Sequence, residues 1–380
     1  MSFTSLGLSA SLLKALANEN HSSPYPIQEE AIPAILRKKD FLGIAKTGSG
    51  KTASYVLPIL NNLKSSELLK NRHIRVLVLV PTRELAVQVE EVFRTFASTL
   101  PDRVKTMAIF GGVSINPQMM ALNGVSILVA TPGRLIELTE SNAVHLSDID
   151  TLVLDEADKM LNLGFKEEME RIFALLPKKR QNLLFSATLS ADVENIKQVL
   201  LTNPKIVKIE SKEEDLELID QIAYAVEESR KGPLLRYLIK KNNLKQVLVF
   251  VSSAFRADSV AIKLGRNGIH AVSIHGKKSM NSRSESLRRF KTGKIRILVT
   301  TDLLARGVDI EFLPHVVNYE LPRSPKDYVH RIGRTGRAES PGEAISFVAP
   351  QDEHHFNVIQ KKMDKKVNLI DSSNFDLHGY

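Results

Sequence analysis

Phe41-Leu42-Gly43-Ile44-Ala45-Lys46-Thr47-Gly48-Ser49-Gly50-Lys51-Thr52 is the stretch that decides the architecture. Four mostly apolar residues suit a short buried strand, and the glycine-rich run after them suits a sharp turn into a helix. Such a turn presents backbone N–H groups and a helix N-terminus to a polyphosphate, with Lys51 reaching the β and γ phosphates. The Thr52 hydroxyl can then ligate Mg²⁺. The loop departs from the general Gly-x4-Gly-Lys-Thr form, because Ala45 stands where the first glycine would. About a hundred residues later a second apolar run, Thr151-Leu152-Val153-Leu154, ends in Asp155-Glu156-Ala157-Asp158. Asp155 is placed to hold the same ion, and Glu156 to orient and deprotonate an attacking water. Together the two signatures read as a site that hydrolyses a nucleoside triphosphate.

Around these strands, Val/Ile/Leu runs alternate with helical stretches, the pattern of a mostly parallel sheet covered on both faces. Expected strands are Phe41–Ile44, Arg75–Val80, Thr106–Phe110, Ile127–Ala130, Thr151–Leu154 and Asn182–Phe185. After the charged stretch Glu210-Ser211-Lys212-Glu213-Glu214-Asp215 they resume at Val247–Val251, Ala271–Ile274, Ile297–Thr300, Val316–Tyr319 and Ala344–Val348. The 380 residues exceed the usual size of one hydrophobic core. The expectation is therefore two α/β domains, 1–209 and 217–365, joined by a linker at 210–216 and followed by a loosely held tail at 366–380. In open α/β sheets, ligands bind beyond the carboxyl ends of the strands, where both signatures lie.

Composition narrows the function classes. With 43% hydrophobic and 25% charged residues the chain reads as ordinary globular protein. No apolar run approaches the roughly 18 residues of a membrane span, and Met1-Ser2-Phe3-Thr4 is unlike the start of a signal peptide. Cysteine is absent, which excludes disulfides, thiolate metal sites and cysteine nucleophiles. A cytoplasmic protein without membrane contact is expected. The net charge of +9 is uneven: residues 1–217 carry 25 Lys+Arg against 26 Asp+Glu, and residues 218–380 carry 27 against 17. Part of the excess forms a stripe of Lys277, Lys278, Arg283, Arg288, Arg289, Lys291, Lys294 and Arg296. Such a stripe suits either contact with a polyanion or a solvated helix face. His354-His355 beside Asp352-Glu353 reads as an exposed loop rather than a metal site.

The second half also holds His330-Arg331-Ile332-Gly333-Arg334-Thr335-Gly336-Arg337. Arginines three apart, Arg334 and Arg337, suit charge stabilisation of phosphoryl transfer from another domain, the arginine-finger arrangement. A surface nucleic-acid contact would also favour arginine.

These motifs are similar to those of the DEAD-box ATP-dependent RNA helicases, from about residue 3 to 349. The similar stretches run in order: Phe3 with Pro24-Tyr25-Pro26-Ile27-Gln28, the phosphate loop, Pro81-Thr82-Arg83-Glu84-Leu85-Ala86, Gly111-Gly112, Thr131-Pro132-Gly133-Arg134, and Asp155-Glu156-Ala157-Asp158. They continue through Ser186-Ala187-Thr188, Val249-Phe250-Val251-Ser252-Ser253, Thr301-Asp302 with Ala305-Arg306-Gly307 and Asp309, and the arginine block. The compact build resembles the bacterial RhlE-like branch.

The resemblance implies two tandem RecA-like domains, each a mostly parallel sheet with helices on both faces, using ATP and Mg²⁺ to remodel RNA. It implies that Gln28 bonds the adenine edge, Phe3 packs on its face and Asp309 approaches the ribose. Residues 45–52 (Ala45, Lys46, Thr47, Gly48, Ser49, Gly50, Lys51, Thr52) would cradle the phosphates. Ser186 and Thr188, with His330 and Asp158, would couple hydrolysis to domain movement. Pro81, Thr82, Arg83, Gly112, Thr131, Gly133 and Arg134 would grip the RNA backbone from the first domain, and Arg283 and Thr300 from the second. A monomer is expected, with protein partners for targeting. Tyr25 and Asn20-His21 depart from the family pattern near the adenine site, and Asn281 departs at one expected RNA contact. An ATP-dependent RNA clamp would use the same residues. A metabolic P-loop kinase would need no second domain with an arginine block. Backbone contacts alone discriminate poorly between RNA and DNA.

Overall fold

The computed structural model describes residues 2–45, 48–63, 72–209, 219–302, 313–336 and 342–380, apart from the Met280 side chain. The expected linker, 210–216, lies outside them. Two compact units emerge, Met1–Ser211 and Lys212–Tyr380. Unit one has strands β1 (Phe41–Ile44), β2 (Val76–Leu79), β3 (Thr106–Ile109), β4 (Ile127–Ala130), β5 (Thr151–Leu154), β6 (Gln181–Ser186) and β7 (Lys205–Lys208). Unit two has β8 (Ile219–Ala225), β9 (Val247–Phe250), β10 (Ala271–Ile274), β11 (Ile297–Thr300), β12 (His315–Asn318), β13 (Gly342–Val348) and β14 (Asn368–Asp371).

The helices of unit one are α1 (Ala10–Asn18), α2 (Pro26–Leu36), α3 (Lys51–Asn62), α4 (Arg83–Ala97), α5 (Ile115–Ala121), α6 (Pro132–Glu140), α7 (Ala157–Asn162), α8 (Lys166–Leu175) and α9 (Ala191–Leu200). Those described in unit two are α10 (Lys231–Lys241), α11 (Ala254–Arg266), α12 (Met280–Lys291), α13 (Pro325–Ile332) and α14 (Glu353–Met363).

The sheet orders are β3-β4-β2-β5-β6-β1-β7 and β10-β11-β9-β12-β13-β8-β14, every pairing parallel. Counted within each unit the order is the same: third, fourth, second, fifth, sixth, first, seventh. The two units are thus one topology used twice, a repeat that their residues do not display.

Strand chemistry explains the layering. Successive side chains point to opposite faces, so Val76 and Val78 enter one core while Leu77 and Leu79 enter the other. In unit two Val247 and Val249 divide from Leu248 and Phe250 in the same way. Burial on both faces is why these strands read as unbroken apolar runs.

All eleven expected strands are present, five with the expected bounds and six with ends shifted by one or two residues. Three strands were not anticipated. Lys205-Ile206-Val207-Lys208 and Asn368-Leu369-Ile370-Asp371 are edge strands whose polar residues break the apolar run, and Ile219–Ala225 carries the adjacent polar pair Asp220-Gln221. Two further expectations are corrected. His354 and His355 lie in α14 rather than a loop, and His355 Nε2 sits 2.7 Å from the Pro322 carbonyl. The segment 366–380 is no loose tail. β14 extends the sheet beside β8, and the Ser372 hydroxyl donates to the Ala225 carbonyl at 2.6 Å. Arg230 donates to the carbonyls of Ser373 and Phe375. The Phe375 ring meets Tyr224 edge-on at 6.0 Å. Removing the edge strand would expose the unpaired backbone of β8.

Phe375→Ala should lower unit-two stability by about 1–3 kcal/mol, less than for a fully buried ring because Phe375 is half-buried. Urea unfolding of the full chain measures this; an unchanged unit-two transition would show that the segment only rests on the surface.

Candidate functional site

The phosphate turn leaves β1 with the Ala45 N–H donating to the Ser186 carbonyl at 3.0 Å, which ties the turn to the end of β6. α3 begins at Lys51, whose Nζ donates to the Ala45 carbonyl at 2.7 Å and is buried beneath the loop. Lys46 and Thr47 lie outside the described residues. Gln28, on α2 and buried, joins this turn to the segment before it. Its carbonyl accepts from the Tyr25 N–H at 2.9 Å, while its amide donates to the Gly50 carbonyl at 3.1 Å. The first bond also belongs to a capping box that starts α2. Phe3 opens a short 3₁₀ turn, and its ring is buried in the unit-one core, as a terminal core anchor would be.

Asp155 and Glu156 leave the end of β5, two strands from β1. Burial pushes the Asp155 carboxyl up, opposed by the Lys51 charge and by a hydrogen bond from Tyr55. Burial also pushes Glu156 up, against the Lys159 ammonium 2.5 Å from its Oε1. Glu156 adopts φ 55°, a left-handed backbone that costs a residue with a β-carbon on the order of 1 kcal/mol. The remaining oxygens, Asp155 Oδ1 and Glu156 Oε2, are buried and accept no hydrogen bond from the described residues. Such acceptors suit a cation and a water as partners, so this donor set fits Mg²⁺ held by Asp155 and Thr52 together with phosphate oxygens.

From the next strand, the Ser186 hydroxyl donates to the Thr188 carbonyl at 2.8 Å, and the Thr188 hydroxyl donates to Asp158 Oδ2 at 2.9 Å. The Ser-Ala-Thr turn is thereby wired to the helix that follows Asp155-Glu156.

The other half of the same sheet edge carries a different chemistry. Pro81, Thr82 and Arg83 follow β2, Gly111-Gly112 follows β3, and Thr131 through Arg134 follows β4. The Thr82 hydroxyl accepts from the Leu85 N–H and caps α4, and Thr131 stands at the N-cap of α6. Gly112 has φ +76°, and a β-carbon there would overlap the Arg83 guanidinium. Glycine is what lets that cation lie across the loop. Arg134 is turned inward: it donates to the Val113 carbonyl at 2.8 Å and pairs with Glu137 at 2.7 Å, tying the glycine loop to α6. Helix N-termini and a cation thus gather at the ends of β2, β3 and β4, while carboxylates and the phosphate loop gather at β1, β5 and β6.

Thr300 is buried at the end of β11, and Arg283 is largely buried on α12. The basic stripe is only partly a free face. Arg296 donates to the carbonyls of Leu244 and Ile239 near the end of α10, and Arg288 pairs with Glu285. Lys278 lies 3.3 Å from Asp258, which also accepts from Ser273 and faces His275 Nε2 at 3.0 Å. Partial burial pushes Asp258 up. The bonds from Ser273 and His275, with the charges of His275 and Lys278, outweigh it and hold the carboxyl at about 2.

His330 and Arg331 close α13, and Arg334 lies in the turn that follows it. Arg331 is buried and forked onto Asp302 at 2.5 and 2.8 Å, and it also donates to the Glu320 carbonyl at 2.6 Å. His330 is half-buried and Arg334 is buried just beyond the helix. Asp309 and Arg337 lie outside the described residues. Sequence reasoning gave no role to Tyr55, Lys159 or the Arg331–Asp302 pair. For Tyr55 the signal was a phenol inside an otherwise apolar buried run, which needs a partner.

Comparison with known proteins adds an independent line. A DEAD/DEAH box helicase family model matches residues 25–196, and a helicase conserved C-terminal domain model matches residues 230–339. The chain is 42% identical over 369 residues to the DEAD-box ATP-dependent RNA helicase CshA of Streptococcus pneumoniae, covering 97% of this chain and 69% of that protein. Its likeness to CshA of Geobacillus kaustophilus is 39% over 376 residues, covering 98% and 79%. Among solved structures, S. cerevisiae Dbp5 bound to RNA and ADP BeF3 aligns with TM-score 0.85 and 29% identity, covering 98% of this chain and 96% of that one.

The Asp258 cluster carries a pH test. Its folded pKa is depressed from 3.8, so its contribution to stability is present above 3.8 and is lost as pH falls toward about 2. Asp258→Asn should lower the unit-two melting temperature at neutral pH and flatten its fall between pH 5 and pH 2. Parallel curves for variant and parent would show that the cluster contributes nothing.

Proposed function

The chain belongs to the DEAD-box family of ATP-dependent RNA helicases, and from that membership we propose how its residues share the work of RNA-stimulated ATP hydrolysis and local duplex unwinding. The observation that carries the proposal is the divided sheet edge of unit one, with phosphate and carboxylate chemistry at β1, β5 and β6 and helix N-termini at β2, β3 and β4. ATP occupies the first half and the RNA backbone the second.

On ATP binding, Lys51 exchanges the Ala45 carbonyl for the β and γ phosphates. The buried Asp155 Oδ1 and the Thr52 hydroxyl would hold Mg²⁺, which would supply positive charge against the phosphate oxygens. Glu156 Oε2, buried and without a hydrogen bond from the described residues, accepts the proton of the attacking water. Gln28 reads the adenine edge while still tied to Gly50. Thr188 bonded to Asp158 passes the state of the phosphate site to the Ser-Ala-Thr turn, with Ser186 and His330 in the same relay.

RNA is gripped through its backbone by residues 81–83, Gly112 and residues 131–134, with Arg83 supplying charge and Arg134 setting the glycine loop. Arg283 and Thr300 add contacts from unit two. Arg334 and Arg337 stabilise the γ-phosphate, and Asp309 approaches the ribose. Bending one strand against α6 is incompatible with an A-form duplex, so the partner strand is released, and hydrolysis frees the RNA. The protein acts as a cytoplasmic monomer whose targets are set by protein partners.

Glu156→Gln keeps the shape of the carboxylate but cannot take a proton. ATP and RNA binding should persist while turnover falls about a hundredfold or more, measured by steady-state phosphate release and by ATP-dependent retention on labelled RNA. Near-normal turnover would remove Glu156 as the base. A strand-displacement assay on a short RNA duplex separates unwinding from the clamp reading: a clamp would hydrolyse ATP and retain RNA without releasing the second strand.

A further inference from the structure

Tyr55 lies on α3, one turn beyond Thr52, in the run Ser54-Tyr55-Val56-Leu57. The Tyr55 side chain is fully buried, yet it ends in a phenol. That hydroxyl donates to Asp155 Oδ2 at 2.9 Å, a contact spanning 100 residues of sequence. Thr52 stands three residues earlier on the same helix. Residues three apart on a helix share a face, so the phenol bonds one of the side chains proposed to hold Mg²⁺ and lies on the helix face that carries the other. It leaves the carboxylate's other oxygen open: among the described residues nothing donates to Asp155 Oδ1.

The ring itself is clamped. Its centroid lies 5.2 Å from Phe185 on β6 and 6.2 Å from Phe93 on α4. Phe185 can occupy that position because Gly43 faces it across the sheet. A β-carbon at Gly43 would come within 2.8 Å of the Phe185 ring. Gly43, Phe185, Tyr55 and Asp155 therefore form a continuous line of packing from the centre of the sheet to the carboxylate.

We propose that Tyr55 is the positioning residue for the Mg²⁺ site, using its hydroxyl to fix the rotamer of Asp155 and its register with Thr52. With Oδ2 occupied by the phenol, Oδ1 is the oxygen presented to the ion. Hydrogen bonds to a metal-ligating carboxylate orient it, and removing such a partner costs about 10–100-fold in metal affinity. The inference rests on the nucleotide-site reading above and extends it to a residue outside the phosphate loop.

Tyr55→Phe keeps the ring and its packing and deletes only the hydroxyl. The experiment measures binding of a fluorescent ADP to the full chain by anisotropy, across a Mg²⁺ titration and in excess EDTA. The variant should need about 10-fold more Mg²⁺ for half-maximal enhancement. Its affinity in EDTA should match the parent. An unchanged Mg²⁺ midpoint would overturn the assignment while leaving the nucleotide site intact. Equal weakening with and without Mg²⁺ would also overturn it, by showing that the phenol shapes the pocket rather than the ion site. If the parent itself shows no Mg²⁺-dependent binding, the underlying nucleotide reading fails and the assignment with it.

Discussion

Parallel pairing is the constraint on which everything else rests. A parallel neighbour cannot be reached by a tight hairpin, so each connection must cross back over a face of the sheet. All strand C-termini then open onto the same edge, where turns start helices and backbone N–H groups point outward. The order third, fourth, second, fifth, sixth, first, seventh adds a second consequence. The chain starts near one side, runs through its second strand to its third at the opposite edge, reverses there, and leaves two groups of strand ends side by side. In unit one these groups carry different chemistry although they belong to one continuous sheet.

That adjacency gives a physical route between the two ligands. The ends of β2 and β5 are neighbours in the sheet, so Pro81 through Arg83 and Asp155 through Asp158 leave adjoining strands. The Thr188–Asp158 bond links β6 to α7, and the Arg134–Val113 bond links α6 to the loop after β3. Each half is internally cross-tied by side chain to backbone or carboxylate contacts. Such ties restrict a small number of arrangements, which is what a site that changes state with its ligand requires.

Much of this was legible in the residues because the central strands are buried on both faces and so write themselves as apolar runs. The phosphate loop and Asp155-Glu156 were legible for a related reason, since each follows such a run directly. What escaped has equally physical causes. Edge strands such as Lys205–Lys208 and Asn368–Asp371 bury one side only, and their polar residues look like loop. The stripe from Lys277 to Arg296 shows only charge, whereas the fold spends Arg296 on helix carbonyls and Lys278 on Asp258. The bond between Tyr55 and Asp155 spans 100 positions and exists only once the sheet is assembled. Gly43 is likewise unremarkable until Phe185 lies against it.

The central claim is that hydrolysis in one half of the sheet edge is governed by a polynucleotide bound in the other. Steady-state ATP hydrolysis by the full chain, measured alone, with single-stranded DNA and with RNA, tests this most directly. The account predicts slow turnover alone, little change with DNA and strong stimulation by RNA that weakens steeply as salt is raised. Turnover that is already fast without nucleic acid, and indifferent to adding RNA, would contradict it.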